Sequence, residues 1–398
     1  MDVAEQARPV KGFRFAGISA GLKAVFGKPD LGLIVAERPA AAAGVFTTNQ
    51  VKAAAVILAQ NRLRAGRLQA VVANSGCANC FTGKPGMKLA LDSCAVVAKE
   101  ISCPLELVAP CSTGVIGHLY DLEKFRTGVR AAAASLSHDG LDSFARAIMT
   151  TDTVPKVAST TIRFGGVDVT IAGAAKGAGM IAPRMATLLS FIVTDADLPS
   201  PVVRRALIRA LPESFNAITI DGDMSTNDSL IMLASGAAGN RRASARDLAG
   251  FEKAVGATAA SLARQLIYDG EGATRLVTIE VRGARTKADA TKIARQIANS
   301  PLVKTAFFGC DPNVGRIVAA AGAVGVALEP NRVALTIGGV KVSDRGMILT
   351  RELPAAAAAM GQREFTVRLD LRLGNAGADV LTCDLSLDYV RINAEYTT

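Results

Sequence analysis

The chain has 398 residues, with 45 Lys+Arg against 35 Asp+Glu and a formal net charge of +10. Half of the residues are hydrophobic and a fifth are charged, which supplies a sizeable core and excludes wholesale disorder. The longest plainly apolar run, Ile317–Leu328, is shorter than the roughly 18–20 residues a membrane-spanning helix needs. Positive charge is scattered, as at Arg204-Arg205 and Arg241-Arg242, without the concentrated patch and interleaved aromatics of a nucleic-acid binder. Early acids and the lack of an apolar stretch near Met1 predict no signal peptide, so the seven cysteines are expected to be reduced thiols of a cytoplasmic protein.

In chain order, Leu31–Glu37 and Leu68–Ala73 read as short strands, and Val167–Ile171 follows the Gly165-Gly166 turn. The alanine clusters Ala40–Ala43, Ala131–Ala134 and Ala355–Ala359 suggest tight helix packing or loops. Ser200-Pro201 predicts a helix start carrying Val203, Leu207 and Leu211 on one face. A second helix is expected over Phe251–Ile267 and a third over Lys287–Ala298. Leu276–Val281 alternates, and Val333–Ile337 with Val340–Val342 forms a hairpin around Gly338-Gly339. Phe365 to Leu373 and Leu381 to Tyr389 alternate strictly, which predicts one buried face and antiparallel pairing. The expected class is α+β, with mixed or antiparallel sheets covered by helices.

Several motifs weaken on inspection. Gly177-Ala178-Gly179 follows a strand like a dinucleotide loop, but Pro183 and the strand-like LLSFIVTDA stand where the phosphate-binding helix should be. The acidic turn Asp221–Asp228 has Thr226 and Met232 where a calcium loop needs Gly and Glu, so a turn braced by Asx and hydroxyl bonds is the better reading. Cys77-Ala78-Asn79-Cys80 lacks the second pair that would complete a zinc site, and no metal is expected. With only His118 and His138 in the chain, a Ser-His-Asp machine is poorly supplied. One alternative needs no histidine: a Ser or Thr freed as a new N-terminus, with its own α-amine as base. Met185-Ala186-Thr187-Leu188-Leu189 after KGAGMIAPR fits that pattern, although a threonine opening a strand is commonplace.

Longer motifs point further. GFRFAGISAGLK, NSGCAN, CSTGVIG, IMTTDTVPK, KGAGMIAPRMATLLSFIVTDA, SFNAITIDGDMSTND, DGEGAT, VKTAFFGCDPNVGRI and TCDLSLDYVRINAEYTT run nearly end to end. In them the chain resembles the ornithine acetyltransferase family, the bifunctional glutamate N-acetyltransferases of arginine biosynthesis. The resemblance implies interlocked αββα layers, as in the related aminopeptidases. It implies self-cleavage between Ala186 and Thr187, giving an α chain of residues 1–186 and a β chain of residues 187–398 intertwined in one body. Thr187 would then carry acetyl from N2-acetylornithine to glutamate by a ping-pong route.

By the same resemblance, Thr113 and Gly114 form the oxyanion hole, and Thr153, Lys176, Thr187, Glu271, Asn393 and Thr398 bind substrate. No cofactor is implied, with acetyl-CoA as a further acetyl donor, and the two chains would pair into a dimer of heterodimers. Cys77, Cys80, Met224 and Val314 depart from the family pattern and bear on substrate preference. The competing reading is a self-processing amidohydrolase or aminopeptidase, in which water replaces glutamate.

Overall fold

The computed structural model describes residues 8–23, 27–182 and 188–395. The chain forms two compact units, one built on residues up to Asn216 with Met224–Leu266, the other on Ala217–Asp223 and the chain from Ile267 onward.

The first unit carries strands β1 (Phe13–Ile18), β2 (Leu31–Phe46), β3 (Arg67–Cys77), β4 (Val108–Val115), β5 (Lys156–Phe164), β6 (Val167–Lys176), β7 (Leu189–Thr194) and β8 (Ser229–Ala234). Its helices are α1 (Ala54–Arg62), α2 (Gly83–Glu100), α3 (Leu122–Ala134), α4 (Leu141–Ile148), α5 (Ser200–Ala210) and α6 (Ala245–Tyr268). The strands make one eight-stranded sheet in the order β4-β3-β2-β8-β7-β6-β5, with β1 also on β2. The pairs β3/β4 and β7/β8 are parallel and the others antiparallel.

Local chemistry explains the layout. β2 is long enough to pair with β1 over Leu31–Ala36 and with β8 over Ala41–Phe46. Its register with β3 shifts between Val35 and Ala40, at Pro39, which has no N–H to give the ladder. Every residue of β7 and β8 is buried, so both read as continuous apolar runs without alternation. Phe144 of α4 meets Phe191 of β7 edge-on, with ring centroids 5.1 Å apart. Gly32 leaves room for that ring: a Cβ there would stand 2.7 Å from Phe144 Cδ2.

The second unit has a six-stranded sheet in the order β12-β11-β10-β13-β9-β14. Its strands are β9 (Leu276–Ala284), β10 (Ala334–Ile337), β11 (Val340–Asp344), β12 (Met347–Ile348), β13 (Glu364–Asp370) and β14 (Ala376–Cys383). Helices α7 (Lys287–Asn299), α8 (Pro301–Phe308), α9 (Val314–Gly322), α10 (Leu353–Met360) and α11 (Leu387–Glu395) complete it. Ile293 and Ile297 of α7 pack with Val277, Ile279 and Val367 of the sheet in one core.

The α+β class, the hairpin and the three expected helices stand. Three readings are corrected. Ala40–Ala43 lies in β2, where small side chains are buried or half-buried within the sheet. β13 pairs antiparallel with β10, as expected, but parallel with β9 on its other side. The alternation from Leu381 does not continue to Tyr389: β14 ends at Cys383, and Leu387–Glu395 is helical. Asp384 turns the chain away by accepting the Thr274 and Arg275 backbone N–H groups at 2.8 and 2.9 Å. Among the described residues no helix is long and apolar enough to cross a membrane.

Phe191→Ala would empty the contact with Phe144 in the first unit's core. It should lower unfolding free energy by about 3–5 kcal/mol, measured by urea denaturation.

Candidate active site

In the first unit the parallel strands β3 and β4 end side by side, with Gly76 opposite Gly114. Gly114 has a φ of +126°, and a Cβ there would stand 2.3 Å from Gly76 C. Only glycine fits, so the turn presents backbone where a side chain would otherwise stand. Buried amides hold it. Asn227 Nδ2 donates to Ala78 O at 2.7 Å and Ser112 O at 2.8 Å, tying the two strand ends to the Met224–Asp228 turn. Ser112 Oγ donates to Asn74 Oδ1, and Asn74 Nδ2 donates to Cys77 O. With its polar atoms satisfied, such a network is rigid.

Lys176 ends β6 and is buried. Its Nζ donates to Thr113 Oγ1 at 3.2 Å. The next residue, Gly177, donates its N–H to Asp152 Oδ1 at 2.7 Å, and Thr150 N–H donates to Asp152 Oδ2. Asp152 is also ion-paired with Lys156, both side chains having no exposure. Burial alone would push the Asp152 carboxyl up, but the charges of Lys156 and Lys176 hold it well below the usual carboxylate range. Thr153 follows directly and is exposed. Sequence reading missed Asp152, which carries no signal beyond lying in the TTDTVPK stretch.

A second buried acid behaves oppositely. Asp228 is 1% exposed and its Oδ2 has no hydrogen-bond partner. Burial raises its carboxyl well above the usual range, against the hydroxyls of Ser225 and Thr47, the Leu188 N–H and the charge of Lys176. Burial thus favours the protonated form of Asp228. Parallel register sets Ser229 opposite Leu189, which puts Asp228 alongside the start of β7.

The second unit brings Glu271 and Asn393 together, with Asn393 Nδ2 donating to Glu271 Oε2 at 2.8 Å. Asn393 lies on α11, and Glu271 in the turn after α6. Tyr389, one turn earlier on α11, donates its hydroxyl to Asp221 Oδ2 at 3.4 Å. Burial, then the charges of Asp221, Glu271 and Asp223, push its phenol up. Ala186, Thr187 and Thr398 lie outside the described residues.

Cys77 donates its thiol to His118 O and is raised by burial. All seven cysteines are free. His138 Nδ1 bonds Phe13 O at 2.8 Å. Among the described residues no group of three His, Cys, Asp or Glu could hold a metal.

Asp152→Asn removes the buried carboxylate that ion-pairs with Lys156 and should cost about 3–5 kcal/mol at neutral pH. Because the folded Asp152 value is depressed, its contribution is present above the unfolded value of about 3.9 and is lost as pH falls towards the folded one. Urea denaturation should therefore show the gap between wild type and Asp152→Asn narrowing below roughly pH 4.

The ArgJ family model matches residues 14–398. The chain is 48% identical over 392 residues to the arginine biosynthesis bifunctional protein ArgJ of Geobacter sulfurreducens, covering 98% of this chain and 100% of that protein. It is 44% identical over 390 residues to the protein of the same name from Desulfotalea psychrophila, covering 97% and 99%. A solved ornithine acetyltransferase from Mycobacterium tuberculosis, complexed with ornithine, is 42% identical, with 44% of this chain and 94% of that one covered and a TM-score of 0.41. Matched from Arg14 to its last residue and across the full length of these relatives, the chain belongs to the ArgJ family and is an acyltransferase of arginine biosynthesis.

Proposed function

We propose that the chain cuts itself between Ala186 and Thr187 and then moves acetyl from N2-acetylornithine to glutamate through an ester on Thr187. The observation that carries this reading is the Thr113–Gly114 turn, held by buried amides and touched by Lys176 at 3.2 Å. Donors fixed in advance suit a tetrahedral oxyanion, since they need not reorganise at the barrier.

In the precursor the Thr187 hydroxyl attacks the Ala186 carbonyl. The C–N bond breaks, the hydroxyl proton passes to the departing nitrogen, and water hydrolyses the ester. In the mature enzyme the new α-amine, with an ordinary pKa of about 7.7–8.0, accepts the hydroxyl proton as Oγ attacks the acetyl amide. Ornithine leaves with that proton. The glutamate amine then attacks the acetyl ester, and its proton returns to Thr187 Oγ through the α-amine. Thr113 Oγ1 and Gly114 N–H would stabilise each oxyanion.

Thr153 and Lys176 would bind substrate, Lys176 through a carboxylate. The Glu271–Asn393 pair suits the amine of ornithine, and Thr398 joins them in binding. Acetyl-CoA is proposed as a second acetyl donor to Thr187, with no resident cofactor. Residues 1–186 and 187–398 would remain associated, two such pairs forming a cytoplasmic dimer of heterodimers.

Denaturing intact-mass measurement should find two pieces, the larger beginning Thr-Leu-Leu-Ser, and Thr187→Ala should leave one uncut chain. Normal cutting in that variant would remove Thr187 as the nucleophile. Thr113→Ala should lower kcat roughly 10²–10³-fold. Acetylornithine turnover that proceeds equally without glutamate would favour the hydrolase.

A further inference from the structure

Lys23 lies between β1 and β2, and its position is unusually constrained. The Asp30 carboxylate accepts the backbone N–H groups of Ala20, Leu22 and Lys23 at 2.6, 2.6 and 3.0 Å. The lysine stem then runs over the end of β3. A Cβ at Gly76 would stand 2.8 Å from Lys23 Cγ and 3.1 Å from its Cα. Gly76 is in turn the residue against which Gly114 packs. Two glycines, both at positive φ, thus let the Lys23 chain approach the Thr113–Gly114 turn more closely than any residue with a Cβ would permit.

The ammonium is half-buried and donates to Pro29 O at 2.6 Å. An ammonium has three donors, so that bond leaves capacity for a ligand. The charged groups acting on it are Asp30, Lys176, Asp152 and Lys28. Burial is the largest influence and, with Lys176, lowers its pKa to about 8, against the opposing pull of Asp30 and Asp152. Two partly dehydrated cations that repel one another favour a neighbouring anion.

We propose that Lys23 is a further substrate-binding residue and that, with Lys176, it seats the α-carboxylate of the amino-acid substrate beside Thr113 and Gly114. This rests on the transfer reading above and deepens it. In N2-acetylornithine and glutamate alike the α-carboxylate is two bonds from the reacting nitrogen, so its seat must adjoin the oxyanion donors. The side chains, one cationic and one anionic, need not share that seat.

The test is steady-state kinetics with Lys23→Met, Lys23→Gln and Lys23→Arg in the full, processed protein, with calorimetric titration of ornithine and glutamate. Loss of a charge-assisted bond should raise KM for acetylornithine and for glutamate about tenfold in Lys23→Met and Lys23→Gln, with the larger share of the loss in KM. Lys23→Arg should recover most of it. Wild-type KM should rise as pH passes through about 8, because the neutral lysine no longer holds the anion, and it should rise less steeply in Lys23→Arg, whose side chain stays charged. N-acetylputrescine, which is acetylornithine without its α-carboxylate, should lose nothing further in Lys23→Met. An equal loss for acetylornithine and N-acetylputrescine, or unchanged KM and affinity in Lys23→Met and Lys23→Gln, would overturn the proposal. Wild type that binds ornithine and glutamate but transfers no acetyl would sink the transfer reading and leave the Lys23 comparison to be decided by the titrations. Wild type that binds neither would overturn both.

Discussion

The first unit's polar site hangs on one buried carboxylate. Asp152 is ion-paired with Lys156 at the start of β5, accepts the N–H of Gly177 just past the end of β6, and accepts the N–H of Thr150 beyond α4. Three segments are thereby fixed to a single point. A burial this complete would make a lone carboxylate very unfavourable. The Lys156 charge and the two N–H donors offset that, and the result is a joint with little freedom. Lys176 is the residue before Gly177, so the accuracy with which its ammonium meets Thr113 follows from the Asp152 contact.

Lys176 also acts on two buried acids of opposite condition. Asp152 has a partner ammonium at contact and stays ionised. Asp228 has hydroxyls and an N–H, and burial is the largest influence on it. Environments that drive like groups apart are the usual means by which a site separates charged from neutral roles.

Several regular elements could be read from hydrophobic pattern alone, because β13 and α7 bury one face and expose the other. The pattern failed where its premise failed. Leu385, Leu387 and Tyr389 keep the period of β14, yet Leu387 is 77% exposed on a helix, so the alternation there reports no buried face. The site was legible in part. Thr113, Gly114 and Lys176 were reached through the family resemblance carried by the CSTGVIG and KGAG motifs. Asp152 and Lys23 were not. An aspartate in a threonine-rich loop and a lysine after Gly21-Leu22 look like solvated residues until the chain is folded around them. Their importance comes from long-range contact with β6 and β3, which no local window contains.

The strand order of the large sheet has one more consequence. β7 and β8 lie downstream of residue 187, yet they sit between β2 and β6, which lie upstream. A break in the chain between β6 and β7 therefore severs a covalent link without opening any ladder. The two pieces could part only by unzipping β6 from β7 and β2 from β8 together, which amounts to unfolding the unit. Made separately, each piece would display unpaired apolar edges of the kind that invite aggregation. A single precursor that folds first is the arrangement in which those edges never meet solvent.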